Sequence, residues 1–102
     1  GGIVQALGYT TLEKFIQKHG VVETDSLSTY LVPTIKDIPH ETIPIIIEDP
    51  DPLGPLGARG MGEMPYIPFA AAVCAAVHAA SGVWFNEFPL TPEVILRGLG
   101  EL

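Results

Sequence analysis

Apolar residues along the first third of the chain recur at helical spacing. Ile3, Val4, Leu7, Leu12, Phe15 and Ile16 fall on one side of a 3.6-residue repeat. Lys14, Lys18 and His19 then gather ahead of Gly20. This pattern predicts a helix over residues 2–18 with Gly20 as its C-terminal stop. Gly8 and the Thr10-Thr11 pair are its weak points. Val21 to Thr24 is short and β-prone, Asp25-Ser26 suits a turn, and Leu27 to Val32 reads as irregular up to Pro33. Pro33 and Pro39 bracket a segment with room for one helical turn. Thr42-Ile43-Pro44-Ile45-Ile46-Ile47-Glu48 is rich in β-branched residues and predicts a strand. Pro44 cannot donate to a ladder, so this strand belongs at an edge.

Residues 48–57 carry no periodicity and read as an ordered connection. Beyond Pro65 and Pro68, Phe69 to Ala80 is an alanine-rich helix that Gly82 stops. Val83 to Phe88 predicts a second strand. Thr91 caps a last helix, with Pro92 at its first position and Glu93 in its first turn. The fold class expected is α+β, with two to four helices and short strands and no internal repeat.

Composition narrows this further. The chain has 102 residues, enough for one domain at most, and 47% of them are hydrophobic against 17% charged. A small free-standing domain needs more polar cover than that, so part of the apolar surface is expected to meet another subunit or further chain. The opening Gly1-Gly2-Ile3-Val4-Gln5 begins inside a predicted helix, which is the look of a piece of something longer. A net charge of −7 with five basic side chains argues against nucleic acid. The lone Cys74 excludes an internal disulfide and fits a reducing, cytoplasmic setting. The apolar run from Ile67 to Val77 is too short to span a bilayer.

Candidate chemistry centres on Gly57-Ala58-Arg59-Gly60-Met61-Gly62-Glu63-Met64-Pro65. Glycines allow close approach of a backbone to a ligand. The helix beyond offers unpaired N–H groups and a positive dipole end, where an acid such as Glu63 is favoured. Glu63 is therefore either a base at a functional loop or an ordinary acid at a helix start. A nucleotide-phosphate loop is excluded, since that pattern ends in Gly-Lys-Ser/Thr and here Glu63 follows Gly62. His19, His40 and His78 are too scattered for a zinc site, and no metal-ligand set is expected. Cys74 reads as a small hydrophobe among Ala and Val. Glu48, Asp49 and Asp51 lack the alternation of a calcium loop and read as a solvated acidic turn.

Four ordered motifs resemble one family. Gly1-Gly2-Ile3-Val4-Gln5-Ala6-Leu7-Gly8 is similar to a G-x-x-V-Q-G-L-G helix start, with Ala6 in place of a glycine. Ser28-Thr29-Tyr30-Leu31-Val32-Pro33 resembles S-T-Y-x-I-P. Gly57 to Pro65 resembles G-A/S-K-G/A-V-G-E-P-P, with Arg59, Met61 and Met64 as departures. Phe88-Pro89-Leu90-Thr91-Pro92-Glu93 matches a common ending. Together they resemble the C-terminal segment of the molybdenum-binding large subunit of the xanthine dehydrogenase / aldehyde oxidase family, residues 1–102 forming part of its molybdopterin-binding domain.

The resemblance implies a molybdenum hydroxylase that oxidises an aldehyde or N-heterocycle with water as oxygen source. It implies that Glu63 is the general base beside a pterin-held molybdenum, and that Gly60, Met61 and Gly62 contact the cofactor. The base takes a proton from a metal-bound hydroxyl whose oxygen attacks an electron-poor carbon. The cofactor is molybdopterin, in a dinucleotide form. The partners implied are the remainder of the large subunit, iron–sulfur and FAD subunits or domains, and a small-molecule substrate; nucleic acid and membrane are not among them. The 102-residue chain alone is expected to hold no cofactor and to be inactive. The contrasting reading is a non-catalytic structural or self-associating domain that retains the family ending.

Overall fold

In the computed structural model, which covers residues 1–102, helix α1 runs from Gly2 to Thr11. A small hairpin follows, with β1 at Gln17–Lys18 and β2 at Val21–Val22. Residues beyond it have no regular structure until two 3₁₀ turns, Pro55–Gly57 and Met64–Tyr66. Helices α2 (Phe69–Ser81) and α3 (Pro92–Leu99) complete the chain. The α+β character holds, with three helices and one two-stranded sheet.

Helix α1 stops well short of residue 18. The hydroxyls of Thr10 and Thr11 donate back to the carbonyls of Ala6 (2.6 Å) and Leu7 (2.8 Å). The amides of Leu12 and Glu13 both turn onto the Gly8 carbonyl, at 2.9 and 2.8 Å. Shared acceptors and back-bonding hydroxyls of this kind close a helix rather than extend it. Glu13 then leaves the helical path to accept a hydrogen bond from the Tyr30 hydroxyl at 2.7 Å, a contact that holds the phenol above its ordinary pKa. Pro33 packs on Gly8, where a Cβ would come within 2.7 Å of the proline ring. Phe15 and Ile16 keep helical spacing but serve no helical face, and Phe15 is 63% exposed. Gly20 is therefore no helix stop. With His19 it forms the two-residue turn of the hairpin, at φ 50° and 81°, and Gln17 pairs with Val22 and Lys18 with Val21.

Neither longer predicted strand forms. Residues 38–48 make no hydrogen bond at all, because a strand needs a neighbouring edge and the chain brings none to them. Val83 to Phe88 folds back over α2 instead of pairing. It delivers Phe85 into the core, where Cys74, Phe85 and Leu90 are buried with Val73, Val77, Val83, Phe88, Val94 and Ile95 around them. His78 stacks on Trp84 at 4.0 Å and 12°.

The two C-terminal helices follow their local signals. Gly82 takes the left-handed conformation (φ 75°) and donates to the His78 carbonyl at 2.7 Å, ending α2. Thr91 Oγ1 accepts from the Val94 amide at 3.3 Å, with Pro92 behind it at the first helical position. Gly98 lies against the Phe85 ring so closely that a Cβ there would overlap it.

Helix α1 packs on α2 and on the 3₁₀ turn at Met64–Tyr66. Tyr9 lies between Tyr66 and Phe88, with ring centroids 6.2 and 5.7 Å away. The Leu90 amide donates to the Thr10 carbonyl at 2.7 Å, tying the chain's end to its beginning.

The chain is far from a closed globule. Its radius of gyration is 17.2 Å, against about 13 Å for a compact domain of this length. It exposes 8046 Å², against about 5,600 Å² for a folded monomer of this mass. Met64–Ser81 taken as one stretch has 18 residues and a mean hydropathy of 1.3, enough by length and composition for a minimal bilayer span. Pro65, Pro68 and the 3₁₀ turn interrupt it, and the regular helix α2 has 13 residues, or about 20 Å against a hydrocarbon core of about 30 Å.

Candidate functional site

The glycine-rich loop lies where three parts of the chain meet. Gly54 to Ala58 winds through a 3₁₀ turn whose amides are satisfied locally: Gly57 donates to Gly54 and Ala58 to Pro55, both at 3.0 Å. Gly57 needs its glycine, having φ 78° and lying so close to Pro50 that a Cβ would come within 2.8 Å of the proline Cβ. The Asp51 amide donates to the Gly57 carbonyl at 3.0 Å. Arg59 reaches back to Asp49, with Nε 2.6 Å from its carbonyl and Nη2 3.2 Å from its carboxylate.

Backbone donation stops after Ala58. The N–H groups of Arg59, Gly60, Met61, Gly62, Glu63 and Met64 donate to nothing within the chain. A Cβ built on Gly60 or Gly62 would meet nothing within 4 Å, so these backbone segments face open space. Six consecutive unpaired donors, two of them on bare glycines, suit an approaching acceptor-rich group.

Glu63 sits at the start of the 3₁₀ turn, not at the start of α2. Its carbonyl accepts from the Tyr66 amide at 3.0 Å, while its exposed carboxylate makes no hydrogen bond. The chain then passes through Ile67 and Pro68 before α2 begins, so the helix dipole that the sequence places behind Glu63 lies several residues farther on.

Helix α1 forms the second wall. Gly2 approaches the Gly62 carbonyl so closely that a Cβ would lie 3.0 Å from that oxygen. Gln5 joins Glu63, Tyr66 and Ile67 around an open recess of about 340 Å³. On the other side Ile45, Ile47, Asp49, Arg59, Met61 and Met64 line a recess of about 310 Å³.

The structure thus brings Gly60, Met61, Gly62 and Glu63 into one exposed loop between α1 and the Ile43–Ile47 segment. Gln5 and Asp49 are additions that reading the sequence for site residues missed. Gln5 lies within the G-x-x-V-Q helix start, which was its available signal. Asp49 had none, because its role depends on a tertiary turn. No group of three or more His, Cys, Asp or Glu side chains is placed to hold a metal ion.

Comparison with known proteins gives this arrangement a context. Residues 1–39 match the family model described as the molybdopterin cofactor-binding domain. Over 97% of its length the chain is 38% identical to a probable xanthine dehydrogenase component of Bacillus subtilis (strain 168), covering 13% of that protein. It is 35% identical over 101 residues to an aldehyde oxidoreductase of Megalodesulfovibrio gigas, again over 97% of this chain and 11% of that protein. The crystal structure of quinoline 2-oxidoreductase from Pseudomonas putida 86 matches 99% of the chain with a TM-score of 0.84 and 44% identity, over 13% of that chain. The chain therefore spans roughly an eighth of the length of such relatives. Sequence identity from end to end, a shared backbone path and the cofactor-domain match agree: the chain belongs to the molybdenum-binding subunits of the xanthine dehydrogenase / aldehyde oxidase family.

Proposed function

We propose that this chain supplies one wall of the active site of a molybdenum hydroxylase, with Glu63 as the general base and Gly60, Met61 and Gly62 contacting the cofactor. The observation that carries the reading is the run of six unpaired backbone donors, Arg59 to Met64, which includes two glycines facing open space and an exposed carboxylate, Glu63, without a partner. A pterin cofactor presents oxygen, nitrogen and sulfur acceptors, which such donors fit. Bound there, it supplies a Lewis-acidic metal and a two-electron sink.

The residues of this chain do the rest. Glu63 takes the proton from the water-derived nucleophile as it attacks an electron-poor carbon of an aldehyde or N-heterocycle. Gly60 and Gly62 let the backbone approach without a Cβ in the way. Gln5, on α1, lines the same recess as Glu63. The remainder of the large subunit completes the cofactor site, and iron–sulfur and FAD subunits or domains carry the electrons away. The cofactor is a dinucleotide form, the protein is cytoplasmic, and residues 1–102 alone are inactive.

The test is Glu63→Gln in the complete, cofactor-loaded enzyme, assayed with aldehyde and N-heterocyclic substrates and a dye acceptor. Loss of a general base costs roughly 10²–10⁴-fold in turnover, and molybdenum and pterin content should equal the wild type. Full activity in the variant, or no molybdenum in the wild type, would refute the proposal.

A further inference from the structure

Two ties close the neck of the loop that precedes Glu63. The Asp51 amide meets the Gly57 carbonyl, and two residues farther out on each side the Arg59 guanidinium meets Asp49. Residues 49 and 59, then 51 and 57, face one another in the register of an antiparallel pair. The backbone amides of Asp49 and Arg59 make no bond across the neck. The side chain of Arg59 supplies the missing outer tie.

It does so at two points, a carbonyl at 2.6 Å through Nε and a carboxylate oxygen at 3.2 Å through Nη2. A planar guanidinium can hold both at once, whereas an ammonium is a single point of charge. Past Arg59, no internal hydrogen bond fixes Gly60, Met61 or Gly62, and the two glycines add no side chain to anchor them. Their course is therefore set by anchors at the two ends. One is the Glu63–Tyr66 turn seated against Gly2, and the other is the grip of Arg59 on Asp49.

We propose that Arg59 is a positioning residue, whose two-point grip on Asp49 closes the loop neck and sets where Gly60–Gly62 presents Glu63. The inference rests on the reading of Glu63 as the base, but its structural half can be measured apart from activity. In the complete enzyme, hydrogen exchange is followed at the Asp51, Gly57 and Ala58 amides, with turnover measured alongside. Arg59→Gln should speed exchange there by roughly tenfold and leave α2 amides unchanged. It should also lower kcat by roughly tenfold with KM within about twofold, the signature of a displaced catalytic group rather than lost binding. Arg59→Lys introduces the residue the family loop carries at this position and should fall between Arg59→Gln and the wild type.

Asp49→Asn keeps both acceptor oxygens and should stay near the wild type. Exchange as fast in Asp49→Asn as in Arg59→Gln overturns the two-point grip, because only charge would then matter. Unchanged exchange or unchanged kcat in Arg59→Gln also overturns it. Neither result bears on Glu63→Gln. An active Glu63→Gln enzyme overturns the base assignment whatever the neck amides show.

Discussion

Ile45, Ile46 and Ile47 are 84%, 83% and 84% exposed, consecutive and without a single hydrogen bond, so they define a sharp perturbation. Successive residues of an extended segment point to opposite sides. Three adjacent isoleucines bare on both sides therefore describe an extended segment made to be covered on both faces, with Pro44 keeping it at an edge. Fully burying each is worth about 1.5–3 kcal/mol. Serine in its place would also strand a hydroxyl at about 1–3 kcal/mol. In the complete subunit each Ile→Ser change should thus destabilise this segment by about 3–5 kcal/mol. In residues 1–102 alone the same change should stay within about 0.5 kcal/mol, since nothing covers the side chain.

The assay is hydrogen exchange at the amides of residues 43 and 45–47, in the complete subunit and in the isolated chain. The isolated chain should exchange at the rate of an open peptide. The complete subunit should protect these amides, and each serine variant should lose roughly 10²–10³-fold of that protection. If all three positions exchange freely in the complete subunit, the segment is a solvent-exposed arm and the reasoning from surface excess to cover fails. A cost confined to Ile46 would reduce the claim to burial of one face.

Three further outcomes follow from single contacts. Thr91→Ala removes the acceptor of the Val94 amide and should cost about 1 kcal/mol in α3, read from chemical denaturation. Asp37 is held below the ordinary carboxylate range by the Thr34 hydroxyl and amide, both 2.7 Å away. Because its folded pKa is depressed, the stabilisation is present above the unfolded value and is lost as pH falls through the folded one. Thr34→Ala should raise the Asp37 titration midpoint, followed by carboxyl NMR, and destabilise at neutral pH but not in strong acid. Gly2→Ala adds a Cβ 3.0 Å from the Gly62 carbonyl, so that backbone oxygen must give by a few tenths of an ångström. It should therefore lower turnover of the complete enzyme while leaving the thermal midpoint level or higher, since alanine favours α1 by about 1 kcal/mol; unchanged turnover would show that this contact does not place the loop.

What the sequence disclosed divides by the range of the interaction. Helices α2 and α3 were legible because their limits are written locally, in Pro68, Gly82, Thr91 and Pro92. The hairpin was half legible: Val21 and Val22 read as β-prone, but the apolar spacing of Leu12, Phe15 and Ile16 drew the first helix across Gln17 and Lys18. What ends α1 is distant, a proline at 33 against Gly8 and a tyrosine at 30 on Glu13. Ile43 to Ile47 carries strand propensity, yet a ladder needs a partner that propensity cannot supply. The Gly60–Glu63 loop carries a motif that sequence alone displays, whereas Gln5 and Asp49 come near it only through tertiary contacts.

The same division explains how so open a chain can still hold a defined loop. Seven of 102 residues are buried, so no large core holds Glu63 in place. Its setting comes instead from contacts made by parts distant in sequence. Gly2 and the Tyr66 turn hold one end, Asp49 holds the other, and Tyr9, between Tyr66 and Phe88, joins the first end to the core around Cys74. Asp49, however, lies only two residues beyond the uncovered isoleucines. Whatever covers Ile45 to Ile47 therefore also fixes the anchor that Arg59 grips, and the order of the loop grows with that cover. Residues 1–102 hold the loop's inner end themselves, while its outer end is only as firm as the surface laid against the isoleucines.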